Sequence, residues 1–275
     1  MAVIVVGVLL GTFGASWAGA QPPKTLKQFG EPVYPAYEGW YENADGSFTL
    51  LVGYFNPNKE QTLDVEVGEG NYISPGPQDQ GQPTHFPSGR GHGLFTIQVP
   101  ADFGDQQLTW TLTTNNQTVS VPFHLQADYY VEPFLDASNQ NQPPTIRFAV
   151  DGETLQGPPV GVALSLTATV GTPLELSVWT SDVKPTTNVR TNSNPRFKRP
   201  ALVLKWHKLR GPGDVEFAEA EQKFEESSDQ NPTTTATFTV PGVYLLRVEA
   251  LDETGAGGGG FQCCWTSAKV TVTVS

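Results

Sequence analysis

Few side chains in this sequence have the chemistry to do more than fold. Four histidines and two cysteines are present. His85 and His92 stand seven residues apart in a Gly/Pro-rich stretch that also holds Ser88 and Arg90. Ser88 and His92 have the types of a nucleophile and its base, yet no GxSxG elbow surrounds them and no oxyanion signature accompanies them. Surface or turn roles are therefore expected for both histidines. His124 falls opposite Phe123 and Leu125 in its strand pattern, and His207 opposite Trp206, so solvated positions are expected for both. No two histidines have metal-ligand spacing, and neither HExxH nor CxxC occurs. No catalytic residue is assigned, no cofactor is expected, and the chain reads as a non-enzyme.

Cys263 and Cys264 are adjacent. Neighbouring Cα atoms are about 3.8 Å apart across a trans peptide, below the ~4.4 Å at which disulfide geometry usually begins. Three readings stay open: a vicinal disulfide that stiffens the loop end, a reduced or interchain-bridged pair, and a soft-metal or redox site. Trp265 beside them is expected to cap the core. The run GAGGGG from Gly255 to Gly260 satisfies GxGxxG literally, but the strand-like FQCCWTSAKVTVTV follows it. A dinucleotide site needs a helix there, so a hairpin loop is the better reading. Asp136, Asn139, Asn141 and Asp151, with Asp252 and Glu253, offer hard oxygen ligands at a junction, a weak pointer to Ca²⁺ because no EF-hand spacing occurs. Arg190, Arg196, Lys198, Arg199, Lys205, Lys208 and Arg210 form a basic stretch, a candidate patch for an acidic glycan, an acidic partner, or the acidic first half of this same chain. Tyr34, Tyr37, Trp40 and Tyr41 are candidates for stacking on sugar rings or for packing the first strand. Asn116 opens an Asn-Gln-Thr glycosylation acceptor, used only in a source that glycosylates.

The elements that position these residues are strands. Period-2 alternation recurs in Phe48/Leu50/Val52/Tyr54, Leu63/Val65/Val67, Phe95/Ile97/Val99, Leu108/Trp110/Leu112 and, after TTNNQT, Val119/Val121/Phe123/Leu125, a hairpin pattern. A second set includes Val162–Ala168, Leu174/Leu176/Val178, Leu202/Leu204/Trp206, Ala236/Phe238/Val240, Tyr244–Ala250 and Ala268–Val274. Half-polar alternation of this kind means antiparallel strands with one wet face. DASNQNQPP, 136–144, has linker composition. The expected fold is all-β, with antiparallel β-sandwiches in tandem: 21–135 and 145–275. Only AEAEQKFEESS, from Ala218, has helix-forming composition.

The chain has 275 residues and a net charge of −12, a field that repels phosphate backbones and anionic lipid and argues against nucleic-acid partners. Residues 1–20 read as a secretory signal peptide, with Ala18 and Ala20 at the A-x-A positions and cleavage expected after Ala20, although no Lys or Arg precedes the apolar run. No other stretch is apolar enough to span a bilayer, so a periplasmic or extracellular location follows as an expectation.

The segment LVLKWHKLRGPGDVEF, with NPTTTATFTVPGVYLLRVEALD and AKVTVTVS, resembles the PKD-like branch of Ig-type β-sandwich domains. The positions that match are Trp206, Gly211, Pro212, Gly213, Phe217, Phe238, Pro241, Gly242, Tyr244, Leu246, Val248 and Asp252, over roughly the last half of the chain. The family's W-D-F-G-D-G segment is missing. The resemblance implies a seven-stranded extracellular sandwich for spacing, adhesion or ligand presentation, with no catalytic residues to transfer. The first half is similar to N-terminal modules of exported bacterial proteins, through GYFNPNKEQTLDVEVG and DQGQPTHF, which implies no activity. The expected function is an exported, non-catalytic interaction or structural protein with a protein or cell-surface partner; a carbohydrate-binding module is the alternative.

Overall fold

Alternating side chains along the chain make strands wherever one face can be buried, and the computed structural model is almost wholly strand. It describes residues 27–131, 135–136, 140–183, 199–255 and 263–275. The proposed leader and most of the Gly run lie outside them. Among the described residues no helix is long and apolar enough to cross a membrane.

In the N-terminal half β1 (Tyr34–Glu42), β2 (Phe48–Asn56) and β6 (Gly89–Val99) form an antiparallel sheet in the order β1-β2-β6. A short pair joins β3 (Leu63–Asp64) to β5 (His85–Phe86). β4 (Asn71–Ser74), β7 (Leu108–Thr114) and β8 (Gln117–Phe123) form the facing sheet. The hairpin between β7 and β8 turns at Asn115 and Asn116, both at positive φ (49° and 58°), as a two-residue primed turn requires. Leu50, Val52, Phe95 and Ile97 from one sheet meet Ile73, Trp110, Leu112 and Phe123 from the other in one buried cluster. The Trp110 indole N–H is satisfied by Asn71 Oδ1 at 2.8 Å. Each such apolar side chain contributes roughly 1.5–3 kcal/mol on leaving water.

The C-terminal half begins with β9 (Thr145–Arg147) and β10 (Leu155–Gln156), which join β13 (Trp179–Ser181) in a small sheet. Five strands follow the order β11-β19-β18-β14-β16: β11 (Leu164–Ala168), β19 (Trp265–Val274), β18 (Gly242–Asp252), β14 (Leu202–Arg210) and β16 (Glu221–Phe224). β11 runs parallel to β19; the other pairs are antiparallel. β12 (Leu174–Ser177), β17 (Thr233–Phe238) and β15 (Val215–Phe217) form the facing sheet. Trp206, Phe238, Tyr244 and Leu246 lie in the core between them. The stretch at 218–228 makes β16 rather than a helix, because Phe224 packs on the core while Lys223 and Glu221 pair outside it.

A third cluster joins the halves. Tyr41 and Leu51 from the N-terminal half meet Leu251 and Trp265 from the C-terminal half. Leu209 of β14 is buried in the N-terminal core itself. The register of β14 against β18 shifts between Lys208 and Arg210, and a bulge of this kind re-aims a side chain out of its alternating place.

Candidate functional site

The chemistry-bearing residues gather where the halves meet. Three register shifts converge there: in β1 between Tyr37 and Gly39, between β2 and β6 at Val52/Tyr54, and in β14 at Leu209. The first buries Glu38. Its carboxylate accepts from Arg90 Nη2 at 2.7 Å and from the Gly93 amide at 2.9 Å. A Cβ on Gly53 would fall on this carboxylate, so glycine makes the room. Arg90 also donates to the carbonyl oxygens of Tyr54 and Gly91.

From the other half, Arg247 on β18 is 2% exposed and pairs with Glu249 at 2.7 Å. It also donates to the His92 carbonyl at 3.1 Å, and its guanidinium stands 5.7 Å from the Trp265 ring centre. The two buried acids and two arginines balance, as buried charge must to be tolerated. Burial pushes Glu38 up, against the pull of Arg90 and the Gly93 amide. Burial also works against ionised Glu249, yet Arg247 and His207 together hold it down to about 2. Burial, with Arg90 and Arg247 adding to it, lowers His92 to about 4, so its ring is neutral at pH 7.

Around this network lies a cleft of about 250 Å³ lined by Ser88, Arg90 and His92 on one side and Lys205, His207 and Arg247 on the other. His85 reaches it too, with Nδ1 2.7 Å from Asp64. Among the described residues, no hydrogen bond joins Ser88 to His92. No group of three or more His, Cys, Asp or Glu among them is placed to hold a metal ion.

His207 is not a solvated outlier: it lines this cleft with Nε2 3.8 Å from Glu249. His124 packs against Tyr37 and Tyr129 instead of standing in water. In the basic stretch, Arg190, Arg196 and Lys198 lie outside the described residues. Arg199 donates to the Thr254 carbonyl, and Lys205 pairs with Glu221 at 2.9 Å. Lys208 donates to Gly213 O and lies 3.5 Å from Asp64. Arg210 makes a two-pronged pair with Asp79 at 2.7 and 2.8 Å and donates to Gln82 O. Lys208 and Arg210 thus face acids of the N-terminal half.

Cys263 and Cys264 are bonded to each other and buried beside Trp265. Trp265 covers the seam between the halves rather than an end of one core: it packs with Tyr41, Leu51 and Leu251. Of the oxygen ligands, Asp252 is occupied by Asn141 Nδ2, the Thr254 hydroxyl and the Thr254 amide, tying the linker to β18; Asn139 lies outside the described residues. Trp40 and Tyr37 pack on the N-terminal core, with Tyr130 and Tyr129 against them at 5.0 and 5.1 Å between ring centres. Glu38, Arg247 and Glu249 carry the site and are not singled out by the sequence, although Arg247 and Glu249 lie within the VPGVYLLRVEALD stretch. The signal is charge inside otherwise apolar strands: Glu38 within YPAYEGWY of β1, and Arg247 and Glu249 within GVYLLRVEAL of β18.

No protein-family model matches the chain, and no curated protein does either. Among solved structures, the D00-D0 domain of intimin aligns over 88% of this chain and 99% of that one at 8% identity and TM-score 0.28. Domains 4 and 5 of the S-layer protein SbsC align over 89% and 98% at 12% identity and TM-score 0.25. Titin Ig tandem domains A164-A165 align over 89% and 99% at 13% identity and TM-score 0.23. Likeness this low carries no argument, and the all-β description rests on the strands themselves.

Proposed function

We propose that this is an exported, non-catalytic interaction protein whose two sandwich domains are clamped together to present a surface to a protein or cell-surface partner. The observation that carries the reading is the use made of the polar groups at the seam. Arg90 and Glu38, and Arg247 and Glu249, bond to each other, and Arg247 reaches across to His92. Each ion pair neutralises charge within its own half, and of these bonds the one from Arg247 to the His92 carbonyl crosses and sets the halves in register. The PKD-like pattern of the C-terminal half supports the same role.

A polysaccharide partner is the second reading. Tyr129 and Tyr130 are 43% and 49% exposed and stand against Tyr37 and Trp40, leaving amphipathic ring surface at the outer edge of β1.

The test is retention of immobilised mature protein by envelope fractions of its source cells, with and without protease or glycosidase treatment. Protease-sensitive retention supports a protein partner, and glycosidase-sensitive retention the second reading. Turnover of a hydrolase substrate panel that disappears in His92→Gln would overturn the non-catalytic assignment. Recovery of the protein in the cytosol with residues 1–20 attached would overturn export.

A further inference from the structure

We propose that β11 is a self-association edge, on which a second copy of this chain adds its own β11 antiparallel, joining two five-stranded sheets into one. The inference is independent of what the protein binds. β11 pairs with β19 on one side, and among the described residues no strand pairs with it on the other. At the end of β11 the Ser275 amide donates to Ala168 O and the Val170 amide to Ser275 O, so Ala168 and Val170 face β19 and by alternation the amides of Ser165 and Thr167 turn to the open edge. Unpaired strand edges template further strands, and proteins ordinarily blunt them with lysine, proline or a covering segment.

Three other edges, β16, β1 and β8, show those devices. β16 carries Lys223 and Glu221, and Tyr130 bridges to Trp40 on β1. β8 contains Pro122, and the chain leading into β1 lies along it, with Gln117 bonded to Gly30 O and Tyr37 to His124 O. β11 has none. No charged residue stands between Glu153 and Glu175, and β11 itself has no proline. Apolar side chains remain in water at both ends of it: Val160 is 83% exposed, Val162 51% and Val170 37%.

Charge selects the occupant. A molecule of net charge −12 repels its own copy on average, and that repulsion is least at an edge with no charged residue between Glu153 and Glu175. An antiparallel pair about a two-fold axis is also self-complementary, which makes one edge sufficient for a closed dimer. Centred on Leu166, it sets Leu166 opposite Leu166 of the second copy as a non-hydrogen-bonded pair. Ser165 then faces Thr167 of the second copy as a hydrogen-bonded pair, with the two side chains directly opposite each other. Both residues are exposed, so changing them leaves the core alone.

The experiment is sedimentation equilibrium of the mature protein at low and high concentration. The wild type is expected to reach twice the monomer mass. Ser165→Lys with Thr167→Lys sets lysines opposite lysines and is expected to weaken the dimer at least about tenfold, at unchanged thermal midpoint and circular dichroism. Ser165→Glu with Thr167→Glu behaves alike, and an equal mixture of the two variants recovers the doubled mass. A wild type that stays monomeric at all concentrations overturns the proposal, as does a dimer indifferent to both variants. A mixture that remains monomeric overturns the antiparallel register.

Discussion

His92, expected from the sequence in a surface or turn role, sits at the seam between the halves. Its ring is half-buried beside Arg90 and Arg247, and its carbonyl takes a hydrogen bond from the opposite half. Burial lowers it from 6.5 to about 4, so the folded protein resists a proton that the unfolded chain accepts. Its contribution is therefore whole above pH ~6.5, shrinks as pH falls, and levels off below about 4. His85 is lowered as well, by burial and Lys208. Glu249 acts in a separate window: its stabilisation is present above the ordinary carboxylate range and is lost as pH falls toward 2. His92→Gln is expected to flatten, without abolishing, the decline in denaturation midpoint between pH 6.5 and 4, and to leave the loss below 4 in place. Urea unfolding at half-unit pH steps measures this, and a variant profile parallel to the wild type over that interval would contradict it.

Strands were legible in the sequence; the places where they depart from alternation were not. Trp206, Phe238, Tyr244 and the hairpin at Asn115–Asn116 sit where the period-2 pattern puts them. Glu38, Leu209 and Gly93 do not, because each lies at a register shift, and one extra residue sends every following side chain to the other face. A period count carries no term for that, and those shifts build the seam. Gly93 is the sharpest case. It has φ 49°, and a Cβ there would lie within the Trp265 ring. Gly93→Ala is expected to cost about 1–3 kcal/mol through overpacking, with a further penalty for positive φ. Because the ring must move, a red shift in tryptophan emission should accompany the lower midpoint. An unchanged spectrum and midpoint would mean that Trp265 does not rest on this glycine.

At the scale of the whole molecule, two kinds of contact hold the halves and they differ in size. Arg210 and Asp79 form the most visible pair, two-pronged and with Asp79 held low by Arg210, but the Asp79 side chain is 54% exposed. Water and salt screen such a pair to about 0.2–1 kcal/mol, even with good geometry. Trp265 is fully buried, and deleting so large a ring from a packed site costs about 3–5 kcal/mol. The seam should therefore depend on the ring and on the buried Arg247 bond to the His92 carbonyl, with Arg210 setting register rather than strength. A double-mutant cycle of Arg210→Ala and Asp79→Ala is expected to give a coupling below about 1 kcal/mol that shrinks in 0.5 M salt. Trp265→Ala, measured by the same unfolding, should lose several times more and show little salt dependence. Small-angle scattering adds the geometric reading: the charge variants keep the wild-type radius of gyration and Trp265→Ala enlarges it. A coupling above about 2 kcal/mol, together with a mild Trp265→Ala, would reverse the order and make the seam an electrostatic one.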